Sequence, residues 1–163
     1  MNIEIKKATT ADIPLIRKLS ETIWKDHYTS IISLEQIEYM LDKMYSPEKL
    51  REEINTPGYE YHLAMLDGKP AGYIAISSES GVNFMLNKFY ILNEHRFKGF
   101  GELVFNLVFK GKEFRKIELF VNRQNFKSIN FYFKMGFKIA GVVDNHFGNG
   151  YYMNDFIMVK SAI

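Results

Sequence analysis

Apolar and polar residues alternate at the start of the chain. Ile3 and Ile5 stand against Glu4 and Lys6, a period of two that predicts a strand over Ile3–Lys7. The period then changes. Ile13, Ile16, Leu19, Ile23 and Trp24 recur at helical spacing behind Thr10 and Asp12, either of which can cap a helix. Ser33 with Gln36 has the form of a capping box and opens a second helix carrying Ile37, Met40, Leu41 and Met44. Ser46-Pro47 starts a third, short helix with proline in its first position. Thr56-Pro57-Gly58 ends the helical run.

Strands follow. Tyr59–Leu66 and Ala71–Ser78 predict a hairpin joined by Asp67-Gly68-Lys69-Pro70. Ser80-Gly81 marks the next turn, Phe84–Leu92 reads as a strand, and a helix runs from Phe100 to about Lys110. Ile117–Val121 is a strand, and Asn125 and Gly136 have the chemistry to start and stop a helix. Strands from Phe137 to about Val143 and over Tyr151–Val159 flank the turn Gly148-Asn149-Gly150. No repeat, linker or low-complexity stretch interrupts this order, and 163 residues suit one compact domain, 1–163.

Composition narrows the function classes. A hydrophobic share of 47% and an aromatic share of 15% are ample for a core. Lysine and arginine number 21 against 19 acids, a net charge of +2, which is not a nucleic-acid-binding balance. The absence of cysteine excludes disulfides, thiolate metal sites and a cysteine nucleophile. The N-terminus carries charges where a signal peptide would have its apolar core, and no apolar run approaches the length of a membrane span. The expectation is a cytoplasmic protein with no membrane partner. His27, His62, His95 and His146 are scattered without metal-ligand spacing, so they read as surface or core polar residues and no metal is expected.

The candidate chemistry lies in the run Arg96-Phe97-Lys98-Gly99-Phe100-Gly101, between a predicted strand and a predicted helix. The first N–H groups of a helix lack internal partners, the helix dipole adds partial positive charge there, and glycine allows close backbone approach. Arg96 and Lys98 add charge, so the turn suits a pyrophosphate. No G-x-x-x-x-G-K-[ST] run exists, and Val104 stands where a dinucleotide fingerprint needs its third glycine. What remains is R-x-x-G-x-G or, on this run alone, a glycine-containing strand–helix connection with solvated basic side chains. A second segment, Val121-Asn122-Arg123-Gln124-Asn125-Phe126-Lys127-Ser128-Ile129-Asn130-Phe131-Tyr132-Phe133-Lys134-Met135-Gly136-Phe137, places Phe126, Ile129 and Phe133 on a stripe that can face a core. Asn125, Ser128 and Tyr132 form the neighbouring stripe, available to a ligand.

Together the two segments resemble the signatures of the GNAT N-acetyltransferases, R-x-x-G-x-G and V-N-x-x-N-x-x-(A/S)-x-x-F-Y-x-K-x-G-F, and the resemblance covers essentially the whole chain. It implies an α/β fold with a mixed, mostly antiparallel twisted sheet, splayed at the acetyl-CoA site and carrying helices on both faces. It implies acetyl-CoA as co-substrate, held by Phe89, Tyr90, Ile91, Leu92, Arg96, Phe97, Lys98, Gly99, Phe100, Gly101, Asn125, Ser128 and Lys134. A backbone N–H near Ile91 or Leu92 would meet the thioester oxygen. The amine attacks the thioester directly. Tyr132, protonated at neutral pH, is the expected general acid for the leaving thiolate. Some relatives place a glutamate on the strand before the turn, where this chain has Asn87-Lys88. Glu118 on the adjacent strand is the candidate base, against the alternative of a solvated or ion-paired carboxylate.

Shorter words, among them Trp24-Lys25-Asp26-His27-Tyr28 and Gly148-Asn149-Gly150-Tyr151-Tyr152-Met153-Asn154-Asp155-Phe156, resemble PaiA-like and diamine/spermidine acetyltransferases. The acceptor would then be a small amine or polyamine, bound by Asp26, Glu35 and Asp155 with Trp24 and Tyr28 packing on its methylenes or cations. Against this, Lys88 puts positive charge where a polycation wants negative. A protein N-terminus or lysine as acceptor, and a non-catalytic acyl-CoA-binding module, are the alternatives. Phe105 and Phe109 either pack under the C-terminal strands or mark the contact of a homodimer, which the family makes an expectation by analogy.

Overall fold

The computed structural model describes residues 1–96 and 99–162. The strands β1 (Ile3–Lys7), β2 (Tyr59–Leu66), β3 (Lys69–Ser77), β4 (Asn83–Ile91), β5 (Lys116–Asn122), β6 (Lys138–His146) and β7 (Tyr152–Ser161) form one sheet in the order β1-β2-β3-β4-β5-β7-β6. All neighbours are antiparallel except β4 and β5. Helices α1 (Ile13–Tyr28), α2 (Leu34–Met44) and α3 (Pro47–Ile54) precede the hairpin, α4 (Phe100–Phe109) links β4 to β5, and α5 (Phe126–Lys134) follows β5.

Local chemistry sets the helix starts. Ser33 Oγ accepts from Gln36 N–H at 3.1 Å and Ser46 Oγ from Lys49 N–H at 3.2 Å, with Pro47 in the first turn of α3. The hairpin is tighter than its composition predicts. Asp67 (φ 50) and Gly68 (φ 78) alone form the turn, both left-handed, so β3 begins at Lys69 and takes Pro70 into its first residues. The strand β6 likewise runs on to His146, three residues beyond the predicted end at Val143.

Strand alternation divides the core between two faces. Tyr61, Leu63, Tyr73 and Ala75 meet Ile16, Ile23, Trp24 and Leu50 of α1 and α3 on one side. Ile74, Ile76, Leu86, Ile117 and Leu119 meet Phe105 and Val108 of α4 and Ile129 and Tyr132 of α5 on the other. Covered on both faces, β3 is buried continuously from Ala71 to Ile76. Phe105 and Phe109 are 3% and 7% exposed and belong to this second core, which removes them as a dimer contact.

The stripe predicted to anchor α5 needs correction. Ile129 is buried, but Phe126 and Phe133 are exposed. The sheet is met instead by Ile129 together with Tyr132 and Met135, because the ring of Tyr132 takes the core position the pattern assigned to Phe133.

Candidate active site

Strands β4 and β5 pair only over Asn83–Leu86 and Lys116–Leu119. Beyond that they part. The register of β3 with β4 shifts between Ala75 and Ile76, leaving Asn87 as the extra residue of a bulge. Leu92 N–H donates to Ala71 C=O at 2.8 Å. Alternate residues point the same way, so Tyr90 and Lys88 also turn their N–H groups to β3, while Phe89 and Ile91 turn theirs into the gap toward β5. Of the two N–H groups named as expected oxyanion donors, that of Leu92 is taken by β3, and that of Ile91 faces the gap.

The gap opens into a cavity of about 460 Å³ lined by Phe89, Tyr90 and Ile91 of β4, by Leu119, Phe120 and Val121 of β5, and by Asn125, Ser128, Tyr132 and Lys134 around α5. Arg96, Gly99, Phe100 and Gly101 complete one end. Gly99 is left-handed (φ 76) and caps α4, whose first intrahelical bond is Leu103 N–H to Gly99 C=O. The N–H groups of Phe100, Gly101 and Glu102 lie ahead of that bond, at the positive end of the helix, where an anion is favoured. A Cβ on Gly99 would meet nothing within 4 Å, so the turn faces open space. Gly101 serves the protein interior as well: a Cβ there would stand 3.3 Å from the Phe131 ring. Phe97 and Lys98 lie outside the described residues. An unpaired strand edge followed by a helix N-terminus with an adjacent guanidinium fits an extended amide chain ending in a pyrophosphate.

Tyr132 is buried, its ring packed on Phe137 at 5.4 Å and its side chain lining the cavity. Burial, with Tyr28 alongside, raises its pKa well above the ordinary phenol range. It stays protonated at neutral pH. Asn125 Oδ1 accepts from Ser128 N–H at 3.3 Å, so it caps α5 and lines the cavity at once. Tyr28, at the end of α1, is pushed up to about 12 by burial, with Tyr90 and Asn125 beside its hydroxyl favouring the ionised form.

Other predicted residues stand elsewhere. Glu118 lies just before the strands part, 3.2 Å from Lys116 Nζ and outside the cavity lining, so it is the ion-paired strand carboxylate. Trp24 is 2% exposed and packed in the core with its indole N–H 3.3 Å from the Tyr45 hydroxyl; it does not line the cavity. Asp26 is exposed and, with Leu92, borders a separate depression beside Leu15 and Glu94. Glu35 is exposed in the first turn of α2, away from the cavity. Asp155 is buried opposite Asn122, accepts from Asn145 Nδ2 at 3.0 Å, and has a pKa pushed up to about 6, chiefly by burial.

Two residues to which the sequence assigned no binding role also line the cavity. Lys88 lines the cavity, but its ammonium is turned away and lies 2.8 Å from Glu53 Oε1. The positive charge that seemed to oppose a cationic acceptor is thus neutralised within the protein. His27 lines the cavity too, with Nδ1 3.0 Å from Arg96 Nη1. Nothing in the sequence links either residue to its distant partner.

Comparison with known proteins agrees with this geometry. A family model described as an acetyltransferase (GNAT) domain matches residues 28–153. The chain is 30% identical over 167 residues to a protein named spermidine N(1)-acetyltransferase from Thermoplasma acidophilum, covering 98% of each. The crystal structure of PaiA N-acetyltransferase from Thermoplasma acidophilum in complex with coenzyme A superposes with a TM-score of 0.81 at 30% identity, covering 99% of this chain and 100% of that one. An acetyltransferase from Thermus thermophilus shares the fold, with a TM-score of 0.72 at 17% identity over 99% of this chain and 98% of the other. A splayed β4–β5 pair, a glycine turn capping α4 and a family match over residues 28–153 have one common meaning: the chain belongs to the GNAT acetyltransferases and is an acetyl-CoA-dependent N-acetyltransferase.

Proposed function

We propose that this enzyme acetylates a small primary amine, with a polyamine as the first candidate. The observation that carries the reading is the burial of Tyr132 in the same cavity as the free edge of β4 and the Gly99 turn. Acetyl-CoA supplies an activated acetyl thioester. Phe89 and Ile91 would pair with its amide chain, and Ile91 N–H would stabilise negative charge developing on the carbonyl oxygen. Tyr132 would give its proton to the departing sulfur.

An alkylammonium has a pKa of about 10.4, so freeing its lone pair at pH 7 costs roughly 4–5 kcal/mol, and that proton must pass to a base directly or through a water chain. A carboxylate near the amine helps bind the cation. Asp155, buried and close enough to Tyr28 to affect its ionisation, is the acid we assign to the acceptor side. The relative's name, spermidine N(1)-acetyltransferase, and the neutralisation of Lys88 by Glu53 both support a cationic acceptor. A cytoplasmic site of action suits a cysteine-free chain that draws on acetyl-CoA. Thiol release from acetyl-CoA with spermidine, read against a blank without amine, tests the proposal. Release above the blank is expected, and its absence with spermidine and other small amines would move the assignment to a peptide acceptor.

A further inference from the structure

Arg96 is anchored at two points. Its Nε donates to Ile91 C=O at 2.7 Å, which ties it to the end of β4. Its Nη1 meets His27 Nδ1 at 3.0 Å, which ties it to the end of α1. A guanidinium has five N–H donors and no acceptor. Nδ1 of His27 must therefore be the acceptor, which places the ring proton on Nε2 and makes the ring neutral. Among the described residues no other partner takes the three remaining guanidinium donors, whose plane the two anchors set.

We propose that neutral His27 is a positioning residue for the coenzyme, holding the Arg96 guanidinium over the glycine turn so that the pyrophosphate meets donors already oriented. This rests on the reading of that turn as the pyrophosphate site. A free arginine side chain loses rotamer freedom when it binds an anion; one fixed at both Nε and Nη1 has lost it on folding. His27 is also held, edge-on to Tyr28 with ring centroids 5.0 Å apart.

The contact depends on protonation. An imidazolium would turn an N–H toward the guanidinium and repel it. The groups facing His27 are Arg96 from the turn and Asn125 and Lys127 from α5, with Tyr28 on its own helix and Asp26 near Arg96. Burial lowers the pKa of His27, with Arg96 and Lys127 adding to the effect and Asn125 opposing it. The ring is thus neutral at pH 7, and the arrangement is lost only in acid.

The test is coenzyme A binding by calorimetry to the wild type, H27A, H27N, R96A and the H27A/R96A double variant. H27A should weaken binding about tenfold, the scale of a hydrogen bond to a charged group. H27N keeps an acceptor near the Nδ1 position and should recover most of that loss. In the R96A background, H27A should have no further effect, because His27 acts through Arg96. Between pH 7.5 and 5.5 the wild type should lose more affinity than H27N, a comparison that cancels titration of the coenzyme's own phosphate. Additive effects of H27A and R96A, or H27N binding as weakly as H27A, would overturn the inference while leaving the pyrophosphate site in place. Wild-type affinity in R96A would overturn the site reading itself.

Discussion

Lys88 Nζ lies 2.8 Å from Glu53 Oε1, and the two side chains are 4% and 13% exposed. The pair joins β4 to α3 beneath the cavity. Tyr59 and Tyr61 hydroxyls donate to the two carboxylate oxygens at 3.0 and 2.7 Å, and the rings of Tyr45 and Tyr61 lie 4.7 and 5.1 Å from the ammonium. Burial lowers the Lys88 pKa and Glu53 opposes the shift.

Removing one partner strands the other charge, so Lys88→Met or Glu53→Gln should each cost about 3–5 kcal/mol in urea unfolding. The double variant K88M/E53Q should recover most of that loss. Strictly additive single effects would mean that the two charges do not support each other.

Tyr132→Phe keeps the ring in the second core and removes only the hydroxyl, the proposed proton donor. The expected result is a fall in kcat of about 10²–10⁴-fold with little change in the KM for acetyl-CoA. Unchanged turnover would assign the acid elsewhere.

Gly72 faces β4 so closely that a Cβ would overlap the Tyr90 carbonyl oxygen and stand 2.9 Å from Ile91 Cα. Backbone cannot yield as a flexible side chain does. Gly72→Ala should destabilise the fold by about 1–3 kcal/mol and raise the KM for acetyl-CoA, since it displaces the free edge of β4. A variant as stable and as tight-binding as the parent would contradict this packing.

Asp155 gives a pH signature. Its carboxyl is raised from 3.8 to about 6, with burial the main cause and the Asn145 hydrogen bond opposing. A raised pKa contributes stability in full below the unfolded value, and that contribution is lost as pH rises through the folded one. The stability of the wild type relative to D155N should therefore decline between pH 4 and pH 7. Equal differences at the two pH values would show that the carboxyl titrates normally.

The coenzyme end of the site was legible because contiguous residues build it. A strand running into Arg96, the glycines at 99 and 101, and the Asn125–Ser128–Tyr132 stripe need only local periodicity and capping chemistry to be recognised. The same local logic found the helix starts at Ser33 and Ser46. It failed where two stripes of one helix were both apolar. On α5, choosing between Tyr132 and Phe133 as the residue that meets the sheet requires knowing how the helix is rotated on it.

The acceptor end is the work of tertiary structure. Trp24 turns into the core because α1 lies across Tyr45 and Tyr90, not because of anything in its neighbouring residues. Lys88 meets Glu53 across 35 residues of sequence, and Arg96 meets His27 across 69. Local pattern decides which residues a helix or strand presents together, because backbone geometry repeats over a few residues. Burial, ion pairing and pKa depend on which distant segment covers a side chain, and only the assembled sheet and its helices decide that.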